Sequence, residues 1–377
     1  MQKEKIIQEL EELKNDNRLR TIKTNDKSLY NFSSNDYLGL AHDKDLLQKF
    51  YQNYSFDNYK LSSSSSRLID GSYLTVMRLE KKVEEIYGKP CLVFNSGFDA
   101  NSSVIETFFD KKSLIITDRL NHASIYEGCI NSRAKILRYN HLDVSALEKL
   151  LKKYSKDYDD ILVVTETVYS MDGDCAEIKK ICDLKDEYKF NLMVDEAHSY
   201  GVYGYGIAYN EKLVDKIDFL VIPLGKAGAS VGAYVICDEV YKNYLINKSK
   251  KFIYSTALPP VNNLWNLFVL ENMINFKVKI EKFQELITFS LSTLKKLNLK
   301  TKSTSHIISI IIGDNLNTVN LSNNLKELGY LAYAIKEPTA PKDTARLRIS
   351  LTADMKKEDI EKFFKALKAE MKKIGVI

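Results

Sequence analysis

Between about residue 75 and residue 240 one pattern recurs: a short apolar run, a polar turn, then a helical stretch. The runs open CLVFNSGFDAN, SLIITDRLNHAS, ILVVTETVYSMDGD, FNLMVDEAHSYG, DFLVIPLGKA and GAYVIC. Each is rich in Val, Ile and Leu and shows no polar face, as expected of a strand covered on both sides. Between them lie amphipathic stretches such as TVMRLEKKVEEIYG and SALEKLLKKY. The alternation predicts an α/β fold with a mainly parallel central sheet and helices on both faces.

The chain of 377 residues has room for such a domain and a smaller one beside it. The pair Pro259-Pro260 breaks the pattern, and a long helical stretch (about 261–297) follows. HIISIII, NLKELGY, ARLRISL and DIEKFFKALKAEMKKIG then read as a smaller α+β domain. At the start, MQKEKIIQELEELKND carries Ile6, Ile7, Leu10 and Leu13 at helical spacing. It reads as an amphipathic helix packed on the body rather than a signal peptide. The expected division is an N-terminal helix and arm over 1–46, a large domain over 47–264 and a small domain over 265–377. The stretch LSSSSSRLIDGS (61–72) has a linker's composition. Its place between two helical patterns, and its apolar ending, argue for an ordered loop instead.

Basic residues number 55 against 50 acidic, a formal charge of +5. The excess forms no basic block or arginine stripe, which argues against nucleic acid, and leaves a weak attraction to acidic partners open. No apolar run reaches membrane-spanning length. Five scattered cysteines, without a C-x-x-C pair or zinc spacing, read as reduced, mostly structural thiols of a cytoplasmic protein.

In open parallel sheets ligands sit beyond the carboxyl ends of the strands. The polar residues there are Asn95-Ser96-Gly97, Asp118 to His122, Ser170, Asp195 with His198, and Lys226. Taken singly, Asp195 reads equally as a helix cap, Ser170 as a turn residue and Lys226 as an exposed loop lysine. His42, His141 and His306 lack acidic or nucleophilic company at a strand end and read as structural. Taken together the set is more specific. A lysine held among small residues between apolar strands has its ammonium form destabilised, which favours a nucleophilic amine. Pyridoxal phosphate (PLP) needs such an amine, an acid to keep its pyridine nitrogen protonated, and a phosphate seat of backbone N–H groups at a helix start. Lys226, Asp195 and the turn NSGFDAN supply one of each. Neither G-x-G-x-x-G nor G-x-x-x-x-G-K-[ST] occurs, so dinucleotide and P-loop sites lack their phosphate loops. No metal-ligand spacing and no G-x-S-x-G elbow stands out either.

NFSSNDYLGL, SRLIDGS, NSGFDAN, DRLNHAS, TETVYSMDGD, MVDEAHSYG, the lysine segment, IYSTALPP and PTAPKDTARLRISLTA follow one another over nearly the whole chain. In these motifs it resembles the α-oxoamine synthases, PLP enzymes of fold type I that join an amino acid to an acyl thioester with decarboxylation. The resemblance implies that Lys226 carries the cofactor, Asp195 pairs with its pyridine nitrogen, and His122 stacks over the ring and touches the substrate. Ser170 and His198 would lie beside the ring hydroxyl, and Gly97 and Phe98 would give backbone contacts. Thr256 would reach the phosphate of the neighbouring subunit's cofactor, implying a homodimer with shared active sites. Asn35 and Arg348 would hold the amino acid's carboxylate, Thr339 would line the substrate site, and Arg20, with Arg18 as its rival, would meet the acyl substrate. Arg348 also alternates with Ile349 as a solvated strand residue would. The substrates implied are L-alanine and a pimeloyl thioester, on CoA or an acyl-carrier protein, in biotin synthesis. Sister pairings (glycine with acetyl-CoA or succinyl-CoA, serine with a long acyl chain) and a non-catalytic subunit are the alternatives.

The chain departs from the family's pattern at two places. Pro223 stands three residues before the lysine, where a phosphate-binding Ser or Thr is usual, and it has neither hydroxyl nor N–H. Serines 62 to 65 replace the glycines expected before SRL, and serine accommodates positive φ poorly. The residues after Lys226, AGAS, also lack the usual bulky apolar residue.

Overall fold

The computed structural model describes residues 2–22, 24, 26, 28–55 and 60–377. The chain forms two compact units: a larger one, Asp36–Ser170 with Cys175–Glu281, and a smaller one, Met1–Asn35 with Met171–Asp174 and Lys282–Ile377.

The larger unit is built on a seven-stranded sheet. Its strands are β1 (Cys91–Phe94), β2 (Leu114–Asp118), β3 (Lys135–Tyr139), β4 (Ile161–Glu166), β5 (Asn191–Asp195), β6 (Phe219–Pro223) and β7 (Ala233–Cys237), in the order β1-β7-β6-β5-β4-β2-β3. Only β7 runs antiparallel to its neighbours, β1 and β6; the other pairings are parallel. Successive strand residues point to opposite faces. Ile116, Val163, Val194 and Leu220 therefore pack in one core with helices α1 (Leu74–Tyr87), α4 (Val144–Tyr154), α5 (Ile178–Glu187) and α6 (Pro260–Asn272). Ile115, Leu162, Met193 and Val221 pack in the other with α2 (Gly97–Phe108) and α3 (Ala123–Ser132). Each fully buried side chain of this kind contributes roughly 1.5–3 kcal/mol, which is why runs without a polar face become central strands. Helix ends follow their caps: α1 stops at Gly88, whose φ of +76° admits the left-handed cap, and Asp143 accepts the Ala146 N–H at the start of α4.

The serine run is ordered. Ser64 takes φ +58° and its N–H donates to Ser62 Oγ at 2.9 Å. Ser63 is fully buried and donates to the Ala257 carbonyl at 2.6 Å. The conformation suited to glycine is thus kept by a serine, at a cost in backbone strain. Ser64→Gly is expected to stabilise the protein by about 0.5–1 kcal/mol. Urea denaturation checks this, and a lower midpoint would refute the strain argument.

In the smaller unit β8 (Ile307–Gly313), β9 (Tyr333–Ile335) and β10 (Ala345–Ser350) form an antiparallel sheet in the order β9-β10-β8. Helices α7 (Asn315–Glu327) and α8 (Lys357–Lys373) accompany it. Tyr30–Asn31 pairs in parallel with Tyr330–Leu331, and Phe32 stacks on Phe363 with centroids 3.9 Å apart. The arm before Asn35 is thereby part of this sheet-and-helix unit. The stretch expected as one long helix is interrupted: a 3-10 turn, Met273–Phe276, separates α6 from the helix Lys277–Lys296.

The N-terminal helix, Gln2–Asn15, departs from expectation. None of its residues is buried, and Ile6, Ile7 and Leu10 are 49%, 47% and 48% exposed. Its apolar stripe is real, but the chain does not cover it. All five cysteines are free. Burial pushes the thiols of Cys129 and Cys237 up to about 12 and that of Cys182 to about 11, which leaves them inert at neutral pH. Among the described residues no helix is long and apolar enough to cross a membrane.

Candidate active site

The carboxyl ends of the parallel strands gather one constellation inside the larger unit. Asp195 ends β5 and is buried. Its Oδ2 accepts from Asn101 Nδ2 at 2.6 Å and its Oδ1 from the Ala197 N–H at 2.7 Å. Asn101, on α2, also donates to Ser124 Oγ at 3.0 Å. Ser124 Oγ in turn lies 2.8 Å from His122 Nδ1. The Ser124 backbone N–H donates to that same Nδ1 at 3.2 Å, so Nδ1 is an acceptor and the neutral ring carries its proton on Nε2. Burial lowers the pKa of His122 below the usual imidazole value, with the charge of Asp195 opposing and that of Lys226 assisting.

Lys226 lies in the loop from β6 to β7. Ala229 N–H closes onto the Lys226 carbonyl at 2.9 Å and Ser230 N–H onto the Leu224 carbonyl at 3.2 Å. The charge of Lys226 bears on both His122 and Glu166. His198 Nδ1 is 2.6 Å from the Tyr37 hydroxyl. Ser170 is half-buried in the turn after β4. At the start of α2, Ser96 Oγ accepts from the Asp99 N–H at 3.0 Å, leaving the Gly97 and Phe98 N–H groups outside the helix's own bonding. Thr256 is exposed, and its carbonyl accepts from Asn95 Nδ2 at 2.7 Å.

Pro223 turns out to be coupled to Gly97. A Cβ at Gly97 would lie 2.6 Å from Pro223 Cγ, so the proline ring fills the space beside the helix start and only glycine fits opposite it. The loop Gly228–Gly232 does spell G-x-S-x-G, which corrects the expectation that the pattern is absent. It joins two antiparallel strands rather than a strand to a helix, and Ser230 Oγ accepts from Asn262 Nδ2 at 2.6 Å. It is therefore not the nucleophile elbow of a hydrolase.

Two buried carboxyls frame the constellation. Glu166 ends β4 in register with Asp195 and accepts the His122 N–H at 2.6 Å. Burial, and next the charge of Asp195, push its pKa well above the ordinary carboxylate range. Glu196 is fully buried and accepts the Ala208 N–H at 2.7 Å; burial lifts its pKa from 4.5 to about 8. Between those two values the unfolded chain has released this proton and the folded chain still holds it. Stability therefore falls as pH rises through that window, by up to about 1.4 kcal/mol per unit. Glu196→Gln keeps the acceptor and removes the titration. Urea midpoints between pH 5 and pH 8 are expected to fall less in the variant than in the native protein, and parallel curves would contradict this.

His141 corrects an expectation. Its Nδ1 lies 2.9 Å from Asp118 Oδ1, and its ring meets Tyr169 edge-on at 4.5 Å. Acidic company arrives because β2 and β3 pair in register, Asp118 opposite Tyr139, although 23 residues separate Asp118 from His141. The role remains structural. His306 is fully buried, and burial drives its pKa well below the usual imidazole value.

A second constellation lies within the smaller unit. Arg348, on β10, donates through Nη1 to Asn35 Oδ1 at 3.1 Å and to Ser350 Oγ at 2.8 Å. It is not simply a solvated strand residue. Arg20 Nη2 donates to Thr339 Oγ1 at 2.7 Å. Arg20, Thr339 and Arg348 all line a cavity of about 590 Å³. Arg18 is not among its lining residues and pairs instead with Asp16 at 3.2 Å. Asn101, Ser124, Tyr37 and Glu166 were not singled out from the sequence. All four stand inside motifs quoted above, but nothing local marks them as partners of Asp195, His122 and His198.

The larger unit's groups fit PLP: an amine on a tight loop, a buried carboxylate whose geometry is fixed by two donors, and free helix N–H groups beside a glycine where a Cβ would clash. This donor set, on a mainly parallel sheet, defines a PLP-dependent enzyme of fold type I. The model of the class I and II aminotransferase family matches residues 27–367. A protein of Pasteurella multocida, provisionally named 8-amino-7-oxononanoate synthase, is 40% identical over 354 residues, 92% of each chain. The serine palmitoyltransferase of Sphingomonas wittichii superposes with a TM-score of 0.85 at 27% identity, covering 93% of this chain and 88% of its own. The 8-amino-7-oxononanoate synthase of Francisella tularensis gives 0.76 at 28% identity, covering 93% and 99%. The chain belongs to the class I and II aminotransferase family and, within it, to the α-oxoamine synthases, PLP-dependent acyltransferases.

Proposed function

We propose that the protein condenses L-alanine with a pimeloyl thioester, releasing CO2 and the free thiol and giving 8-amino-7-oxononanoate for biotin synthesis. The observation that carries this reading is the Asp195–Asn101–Ser124–His122 chain beside Lys226; the name of the 40%-identical relative supports the choice of substrates. PLP, when bound, supplies an electron sink for the amino acid's Cα. Lys226 Nζ would hold the cofactor and would take the proton from the amino acid's Cα. Asp195 would keep a proton on the pyridine nitrogen, and Asn101 and the Ala197 N–H keep that carboxylate in place. His122, with its proton on Nε2, would face the substrate, and Ser170 and His198, the latter set by Tyr37, would hold the cofactor's hydroxyl side. Gly97 and Phe98 offer their N–H groups to the phosphate. Asn35 and Arg348 take the amino acid's carboxylate, Thr339 lines the substrate site, and Arg20 meets the acyl chain. Cα then bonds to the thioester carbonyl carbon as the C–S bond breaks, the thiolate leaves and takes a proton, the carboxylate departs as CO2, and Cα takes a proton in its place.

In this reading the protein works in the cytoplasm as a homodimer, with Thr256 reaching the partner's cofactor phosphate. Either CoA or an acyl-carrier protein can carry the acyl group. A second reading, serine with a long acyl chain, is favoured by the higher TM-score to the serine palmitoyltransferase. Thiol release by PLP-loaded protein, across alanine, glycine and serine against pimeloyl, acetyl, succinyl and palmitoyl thioesters, separates them. Turnover confined to alanine with the pimeloyl thioester is expected. Turnover of serine with palmitoyl thioester would move the assignment, and a protein that stays colourless with added PLP would overturn both readings.

A further inference from the structure

Three acids end adjacent strands of the larger sheet: Asp118 on β2, Glu166 on β4 and Asp195 on β5. All three are buried, so each needs donors or a proton. The outer two have partners on both oxygens. Asp118 Oδ1 accepts the Leu120 N–H at 2.8 Å and lies 2.9 Å from His141 Nδ1, and its Oδ2 accepts the Leu142 N–H at 2.9 Å. Asp195 is served by Asn101 and the Ala197 N–H. Glu166, between them and in register with Asp195, accepts one bond among the described residues, the His122 N–H at 2.6 Å. Donors favour the ionised form of the acid they serve, and a like charge alongside disfavours it. The upward shift of the Glu166 pKa runs the same way: burial and then Asp195 raise it, the His122 N–H and Lys226 oppose, and Asp118 adds a smaller rise. The same carboxyl bears on the placement of His122. Ser124 holds the ring at Nδ1 from within the start of α3, and Glu166 holds the backbone N–H from the neighbouring strand. Loss of either hold would let Nε2 move.

Resting on the role given to His122 above, we infer that the proton of this row rests on Glu166, and that Glu166 is a positioning residue which fixes His122 through its backbone. An ionised Glu166 would set a third negative charge between Asp118 and Asp195. A neutral one keeps Asp195 the charged acid nearest Lys226 and still accepts the His122 N–H.

The test titrates His122 by NMR in PLP-loaded protein carrying carbon-13-labelled histidine. The chain has five histidines, and the His122 signal is the one lost in His122→Gln. Glu166→Gln keeps an acceptor for the His122 N–H and carries no charge. Removing a full negative charge so close would lower the His122 pKa by about half a unit or more; a smaller change is expected, because a neutral acid is being replaced. Glu166→Ala removes the acceptor as well. It is expected to lower kcat by about tenfold to a hundredfold, the scale of a small misplacement of a reacting group, with the KM for alanine changed less than about threefold. Glu166→Gln should recover most of that loss. A His122 pKa that falls by half a unit or more in Glu166→Gln would show an ionised Glu166 and overturn the proposal. So would native kcat in Glu166→Ala, or a loss in Glu166→Gln as large as in Glu166→Ala. Should Glu166→Ala fail to fold, the His122 titration in Glu166→Gln decides by itself. The thiol-release panel judges the underlying reading separately: silence with every amino acid and thioester would sink that reading and leave the His122 titration to judge this inference.

Discussion

Lys226→Ala is expected to lose the covalent attachment of PLP and to lower turnover by about 10²–10⁴-fold or more, the range typical of removing a positioned proton-transfer group. The loop offers no substitute amine: Lys226 is flanked by Gly225, Ala227 and Gly228. The loop also has little freedom to rearrange. A Cβ at Gly201 would meet Ala227 Cβ at 2.4 Å, and one at Gly228 would meet the Leu224 carbonyl at 2.8 Å. Borohydride reduction followed by peptide mass analysis should place the cofactor's mass on the Lys226 peptide of the native protein and nowhere in the variant. Finding the mass on another lysine would refute the assignment, whatever the activity.

Asp195→Asn separates charge from shape. The amide can still accept the Ala197 N–H, which now reaches Oδ1 at 2.7 Å, and its volume is nearly that of the carboxylate. What it loses is the negative charge proposed to hold a proton on the pyridine nitrogen, and with it much of the electron sink. We expect PLP to remain attached to Lys226 while kcat falls by about 10²–10⁴-fold, with little change in the KM for alanine. The variant's Asn101 would face an amide NH2 instead of Oδ2, a clash of donors that its own amide can relieve by flipping. Asn101→Ala is thus the control for geometry: it removes a 2.6 Å bond to Asp195 but not the charge, and should cost less. Near-native kcat in Asp195→Asn would show that ring protonation does not depend on this carboxylate.

Exposure of the N-terminal helix marks one limit of reading by periodicity. Ile6, Ile7 and Leu10 have the right spacing for an amphipathic helix, and the helix exists. Periodicity shows that a stripe is apolar and is silent on what covers it. Ser64 illustrates another limit. Serine disfavours positive φ, yet the bonds of Ser62, Ser63 and Ala257 hold the loop in that conformation. His141 went unrecognised for a related reason, since its acid comes from the neighbouring strand.

The strands of the larger sheet, their mainly parallel arrangement and the residues at their carboxyl ends were legible because each rests on local information. An apolar run of a few residues can satisfy itself only as a central strand, and parallel strands bring their carboxyl ends to one edge. Asp195, His122, Lys226 and the helix start at Gly97 could therefore be read together from separate segments. Which side chains hold them was decided by tertiary packing. Asn101 meets Asp195 across 94 residues, Tyr37 meets His198 across 161, Asn35 meets Arg348 across 313 and Arg20 meets Thr339 across 319. A hydrogen bond between side chains so far apart leaves no period, spacing or composition in the chain. It exists only once burial has fixed both backbones and desolvation has made an unpaired polar group costly.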